Sequence, residues 1–171
     1  MRRHFLALPL ALVIAGTATA QWGDDRGPGV APRNAGGALV YPIDGFTAVS
    51  LALPANVDVR VGPGFSVRAT GPARAFNDIR VTRNGSSLQI ERRYRGRVRD
   101  EDAARGVRFV VTMPRIDGAN IGGSGGINVD RVNGRRFDAA IGGSGSLTLD
   151  SVAVDRLSGE IGGSGSIVAG G

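Results

Sequence analysis

Ile-Gly-Gly-Ser-Gly stands at residues 121–125, again at 141–145 and again at 161–165, a spacing of 20. Other positions keep the same step. Ile127, Leu147 and Ile167 align, as do Val129 with Leu149, Val132 with Val152 and Phe137 with Leu157. Asp130 aligns with Asp150, and Arg136 with Arg156. A period this regular means stacked units sharing one core. Twenty residues are too few for a helix pair, and paired glycines destabilise helices. Short alternating apolar segments between Gly-rich corners suit one coil of a β-solenoid, with coils about 4.8 Å apart. The expected fold-defining residues are an inward ladder, Ile121, Ile141 and Ile161, and a hydroxyl ladder, Ser124, Ser144 and Ser164, at the corner. The glycine pair is expected to supply backbone angles that other residues avoid.

Working back from the repeats, the chain reads as short strands. Val49, Leu51 and Leu53 alternate with smaller or polar residues, and so do Val57, Val59 and Val61. Gly62-Pro63-Gly64 marks a turn, after which Phe65, Val67 and Ala69 resume the alternation. Ile79 and Val81 lead into Asn84-Gly85, and Leu88 and Ile90 leave it, which predicts a hairpin. Val107, Phe109 and Val111 form another strand, ending at Met113-Pro114. No helical period exceeds two turns. The predicted class is all-β: a β-solenoid, or parallel β-helix-like body, with coils of about 20 residues in the C-terminal part, preceded by short strands and a hairpin.

The N-terminus reads as a signal peptide over 1–20: Arg2 and Arg3, an apolar run from Phe5 to Gly16, and Ala18-Thr19-Ala20 as the cleavage site. Arg2-Arg3-His4-Phe5-Leu6 fits either the general or the twin-arginine export route. The run is too short to span a bilayer, and no transmembrane segment is expected later. Residues 21–37, punctuated by Gly and Pro, read as a flexible leader, and 38–171 as the β domain. The expected location is periplasmic or extracellular.

Composition then removes most chemistry. The chain has no cysteine, and its one histidine, His4, lies in the signal. All 21 basic residues are arginine; cleavage removes Arg2 and Arg3, leaving 19 against 15 acids. Without His, Cys or Lys there is no Ser-His-Asp triad, no thiolate or imidazole metal site and no Schiff base. Gly122-Gly123-Ser124-Gly125-Gly126 matches the nucleophile-elbow pattern, but the mature chain has no base for Ser124. The calcium nonapeptide repeat needs an Asp where Leu147 stands, and a period of nine. No catalytic residue, cofactor or metal site is expected. Asp130 and Asp150, one coil apart, could share a cation or act as an acid/base pair; the competing reading is two corner residues held by Arg131, Arg136 or Arg156. Arg92, Arg93, Arg95, Arg97 and Arg99, with Tyr94 among them, are a candidate surface for anionic ligands, or a solvated loop partly neutralised by Asp100, Glu101 and Asp102; the alternate arginines also suit the outward face of a strand.

The IGGSG recurrences, the strand closing on Met113-Pro114 and the literal Gly126-Ile127-Asn128 resemble the head GIN domain, a family named for auto-transporter adhesin heads. The resemblance covers Phe46 to Gly171. It implies a β-helix-like fold on an exported bacterial protein, and transfers no catalytic residues. The chain has no room for the membrane barrel that an auto-transporter would add. Its third repeat closes at Gly171 without a polar cap, so that end is expected to be covered, to associate end to end, or to mark a shortened chain.

The functional expectation is a non-enzymatic binding, adhesin-like or structural protein of the cell envelope, with an envelope glycan or protein as partner and no nucleic acid. Two alternatives stand beside it: a polysaccharide-active β-helix enzyme using carboxylates, and an envelope-stress scaffold.

Overall fold

The computed structural model describes residues 29–93 and 101–171. Alternating sequence becomes strand throughout. The first half holds β1 (Arg33–Ala35), β2 (Ala38–Tyr41), β3 (Ala48–Leu51), β4 (Asn56–Val61), β5 (Ser66–Thr70), β6 (Ile79–Asn84) and β7 (Ser87–Arg92). The second holds β8 (Arg108–Met113), β9 (Gly118–Ile121), β10 (Gly126–Val129), β11 (Val132–Ile141), β12 (Ser146–Leu149), β13 (Val152–Ile161) and β14 (Ser166–Ala169). A 3-10 turn at Ala73–Asn77 and a one-turn helix, α1 (Glu101–Arg105), are the helical pieces among the described residues.

The strands form two mixed sheets with open edges. One runs β1-β2-β5-β8-β4-β10-β12-β14, the other β13-β11-β9-β3-β7-β6. The repeats give the parallel part. Ile121 pairs with Ile141, which pairs with Ile161. Ile127, Leu147 and Ile167 pair likewise in the other sheet. Each 20-residue unit thus places one strand in each sheet, and apolar residues alternate into the space between. Phe46, Leu51, Phe109, Ile127, Phe137, Ile141 and Leu147 are all buried, within one continuous cluster, and no polar or charged residue of the described chain is buried. Polar alternation outside and aliphatic alternation inside is what a two-sheet sandwich needs.

The parallel stack reaches beyond the three repeats. Leu51 pairs with Ile121, and Val57 with Ile127, so β3 and β4 form a unit of the same kind. Leu51-Ala52-Leu53-Pro54-Ala55 stands there where IGGSG stands later. β7 and β8 form another, packed on the far side of β3 and β4. Spatial order therefore departs from chain order: the unit that comes second in sequence lies outermost. Beyond it the sheets turn antiparallel, with β5, β2 and β1 on one side and β6 on the other.

Two expectations change. None of the paired corner glycines has positive φ. They are small because the stacked corners nearly touch: a Cβ on Gly143 would lie 2.3 Å from the Gly123 carbonyl oxygen, and one on Gly145 2.5 Å from that of Gly125. Close approach, not a special backbone angle, is the requirement. The stretch 33–37, assigned by composition to the leader, pairs as β1 against β2. Gly36 and Gly37, at φ 61° and 81°, make the two-residue turn between them. A Gly-Gly dipeptide serves a hairpin as well as a linker.

Candidate functional site: an outer groove of paired arginines

Outward side chains at and just before the second sheet make a polar groove among the described residues. Gly118 pairs with Asp138, so the residues just before β9 lie beside the middle of β11. Arg115 and Asp117 thereby come next to Arg136 and Asp138. Within each pair the charges are two residues apart, Arg136 and Asp138 on one face of β11 and Arg115 and Asp117 in the segment that leads into β9. Arg115 Nη2 donates to Asp117 Oδ2 at 2.7 Å. Arg136 Nε faces both oxygens of Asp138, at 2.8 and 2.6 Å. The hydrogen bond to Asp138, and then its charge, raise the Arg136 pKa, so this guanidinium stays protonated at any ordinary pH. With Gly134 and Arg135 these four residues line a groove of about 540 Å³. Gly134, at φ 142°, stands just before Arg135, where the pairing of β11 with β13 is interrupted.

Three guanidiniums, two of them held by carboxylates, can bind anionic or polyhydroxylated groups by charge-assisted hydrogen bonds. They supply no general base and no nucleophile. The sequence signal for this site is the recurrence Arg-Ile-Asp at 115–117 and Arg-Phe-Asp at 136–138, which the reading from the strict 20-residue step passed over.

The residues singled out from sequence fall elsewhere. Arg92 ends β7 and Arg93 follows it, its backbone N–H bonded to the Asp78 carbonyl. Arg95, Arg97 and Arg99 lie outside the described residues. Asp130 closes β10, where its Oδ1 accepts the Val61 backbone N–H at 2.9 Å and Oδ2 lies 3.6 Å from Arg131 Nε. Asp150 is exposed at the equivalent corner. Ser124, Ser144 and Ser164 are exposed at successive corners, while Ile121 and Ile141 are buried and Ile161 is 47% exposed. Among the described residues no three His, Cys, Asp or Glu side chains gather as a metal site. No helix of the described residues is long and apolar enough to cross a membrane. On the other sheet Arg108 bonds Asp58, which also receives Asn128 Nδ2 at 3.4 Å, and the Asp58 contact raises the Arg108 pKa.

Solved structures share the fold at low identity. A protein described as a "putative lipid binding protein" of Parabacteroides distasonis matches with a TM-score of 0.63 at 15% identity, over 81% of this chain and 58% of its own. A "putative adhesin" of Parabacteroides merdae matches at 0.64 and 11%, over 77% of this chain and 55% of its own. A "putative adhesin" of Bacteroides fragilis matches at 0.52 and 12%, over 82% of this chain and all of its own. The chain thus spans a little over half the length of the first and second of these. No relative matches among curated proteins. The family model described as "Putative auto-transporter adhesin, head GIN domain" matches residues 45–171, and the chain belongs to that family.

Proposed function

We propose that this chain is an exported, non-enzymatic binding module of the bacterial envelope, built as a β-solenoid of five stacked coils whose outer face holds an anionic glycan. The observation that carries the reading is the groove at Arg115, Arg135 and Arg136: three guanidiniums gathered beside the parallel ladder, with the carboxylates there, Asp117 and Asp138, engaged in ion pairs with Arg115 and Arg136. Family membership supports a surface-binding role, since the family description names adhesin heads. The stacked register supports the solenoid reading, because five successive strands pair parallel in each sheet. A polymer with a repeating acidic sugar suits a site whose cations are spaced along the stack.

The test is a glycan array on the protein from Gln21 onward, followed by calorimetry with the best anionic hit. Arg136→Ala and Arg135→Ala are expected to weaken binding on the order of tenfold each, given charge-assisted bonds worth about 1.5–3 kcal/mol. Absence of any glycan or envelope-protein ligand, or robust turnover of a uronate polymer, would overturn the reading. Export is checked by mass spectrometry of the periplasmic protein, whose first residue is expected to be Gln21.

A further inference from the structure

The two ends of the stack differ. At one end the outer strand β6 carries Arg80 and Arg83, and the Val30 backbone N–H bonds the Val81 carbonyl on its free edge. The other outer strand there, β1, has three residues, all exposed. These are ordinary ways of blunting an edge. At the opposite end β13 and β14 are the last strands of their sheets. β14 reads Ser-Ile-Val-Ala, with no charge, proline or bulge to discourage pairing. Inward positions that are buried in the preceding coil are open here: Leu157 is 43% and Ile161 47% exposed, against 0% for Phe137 and 1% for Ile141. Val168 is 58% exposed.

Charge distinguishes this end further. Arg136 has Asp138 two residues along, but at the paired positions of β13 Arg156 is followed by Ser158. No described side chain bonds Arg156. Glu160, also outward and exposed, is equally unpartnered among the described residues. One strand thus holds an unpaired cation and an unpaired anion four residues apart on the same face, too far to meet each other in an extended strand.

We propose that this end docks on a second copy of the same chain, through a two-fold axis perpendicular to both sheets. Parity requires the axis to pass through a residue position, so that inward residues meet inward residues. Of those positions, Gly159 is the one that places the two exposed inward residues, Leu157 and Ile161, opposite each other, with β13 antiparallel to its copy. A Cβ on Gly159 would lie 3.3 Å from Ile167 Cδ1, so Gly159 and Ile167 face each other across the core. One axis through both residues therefore also centres β14 on Ile167. In this register Ser158 lies opposite Glu160 of the copy. Arg156 lies diagonal to the same Glu160, within reach of a long side chain. The Arg156–Glu160 pair forms twice by symmetry, once for each orphan charge of either copy, and the two apolar coil ends cover each other.

The test uses the full exported chain. Sedimentation at about 1–100 μM is expected to show a concentration-dependent dimer, which Ile161→Asp abolishes. Arg156→Glu and Glu160→Arg are each expected to weaken it on the order of tenfold, and the double variant R156E/E160R to recover it. All three positions are exposed, so circular dichroism should stay unchanged. Register is read by oxidation in this cysteine-free background. Ser158→Cys and Glu160→Cys chains should cross-link when mixed and not separately, because each like pair is separated by about 8 Å, beyond disulfide reach. A monomer throughout the range overturns the proposal, as does a head-to-tail ladder, or cross-linking of either variant alone. So does a monomer that floats with lipid vesicles, which would assign the apolar end to a membrane surface.

Discussion

Within each Ile-Gly-Gly-Ser-Gly corner the three glycines meet different surroundings. The first has open space: nothing lies within 4 Å of a Cβ on Gly142. The second and third back onto the preceding corner, with Gly143 and Gly145 each facing a carbonyl oxygen inside 2.6 Å. Backbone cannot step aside as a side chain end can. Gly142→Ala is therefore expected to change stability by less than about 0.5 kcal/mol, and Gly143→Ala or Gly145→Ala to cost about 1–3 kcal/mol or more, read by urea denaturation. Tyr41 supplies a second residue-scale expectation. Burial at 5% exposure pushes its phenol up to about 12. Its folded pKa lies above the unfolded value of about 10, so its contribution is complete below pH 10 and is lost as pH rises to about 12. Stability should fall by roughly 2–3 kcal/mol across that window in the wild type. Tyr41→Phe should lack that fall, measured by denaturation at stepped pH.

Strands pair here through corners as well as along their lengths. The Gly122, Gly142 and Gly162 N–H groups bond the carbonyls of Leu51, Ile121 and Ile141, each at 2.8 Å. Asp130 joins this ladder by taking the Val61 N–H, which otherwise ends β4 without a strand partner. Asp130→Ala is expected to cost about 1–2 kcal/mol, and Asp150→Ala nearly nothing, both by thermal melting. Neither should change any polymer-cleaving rate. The repeated strands were readable from the 20-residue step, because Ile121, Ile141 and Ile161 are identical and in phase. The unit of β3 and β4 was not, since Leu53, Pro54 and Ala55 fill its corner with side chains where later corners have Gly or Ser. Its partner of β7 and β8 is interrupted by residues 93–107, which hides any period. The arginine groove escaped for a related reason. Its two Arg-x-Asp pairs stand 21 residues apart, one out of step, and the first, at Arg115 and Asp117, precedes β9 rather than lying in a repeated strand.

One buried cluster runs the length of both sheets, from Tyr41 and Phe46 to Leu149. No boundary divides it, so unfolding should be a single transition, with calorimetric and van't Hoff enthalpies in agreement. Phe137, fully buried at the centre of the repeats, should cost about 3–5 kcal/mol as Phe137→Ala without splitting that transition. The order of coils also bears on folding speed. After β7 and β8 the chain must return across β3 and β4, so that β9 docks on the side of β3 opposite β7, a pairing across 70 residues, as Val49 with Ala119 illustrates. Refolding is expected in the millisecond-to-second range, followed by stopped-flow fluorescence. The in-register pairing of β11 with β13 has a last consequence, for inherited length changes. Duplicating residues 142–161 would insert one more turn and lengthen the body by about 4.8 Å, with every side chain still on its own face. Adding or losing a single residue within β13 would instead turn Leu157 and Ile161 outward and Arg156 and Glu160 inward. Tandem duplication in steps of 20 is thus an insertion that this half of the chain absorbs with every strand still in register.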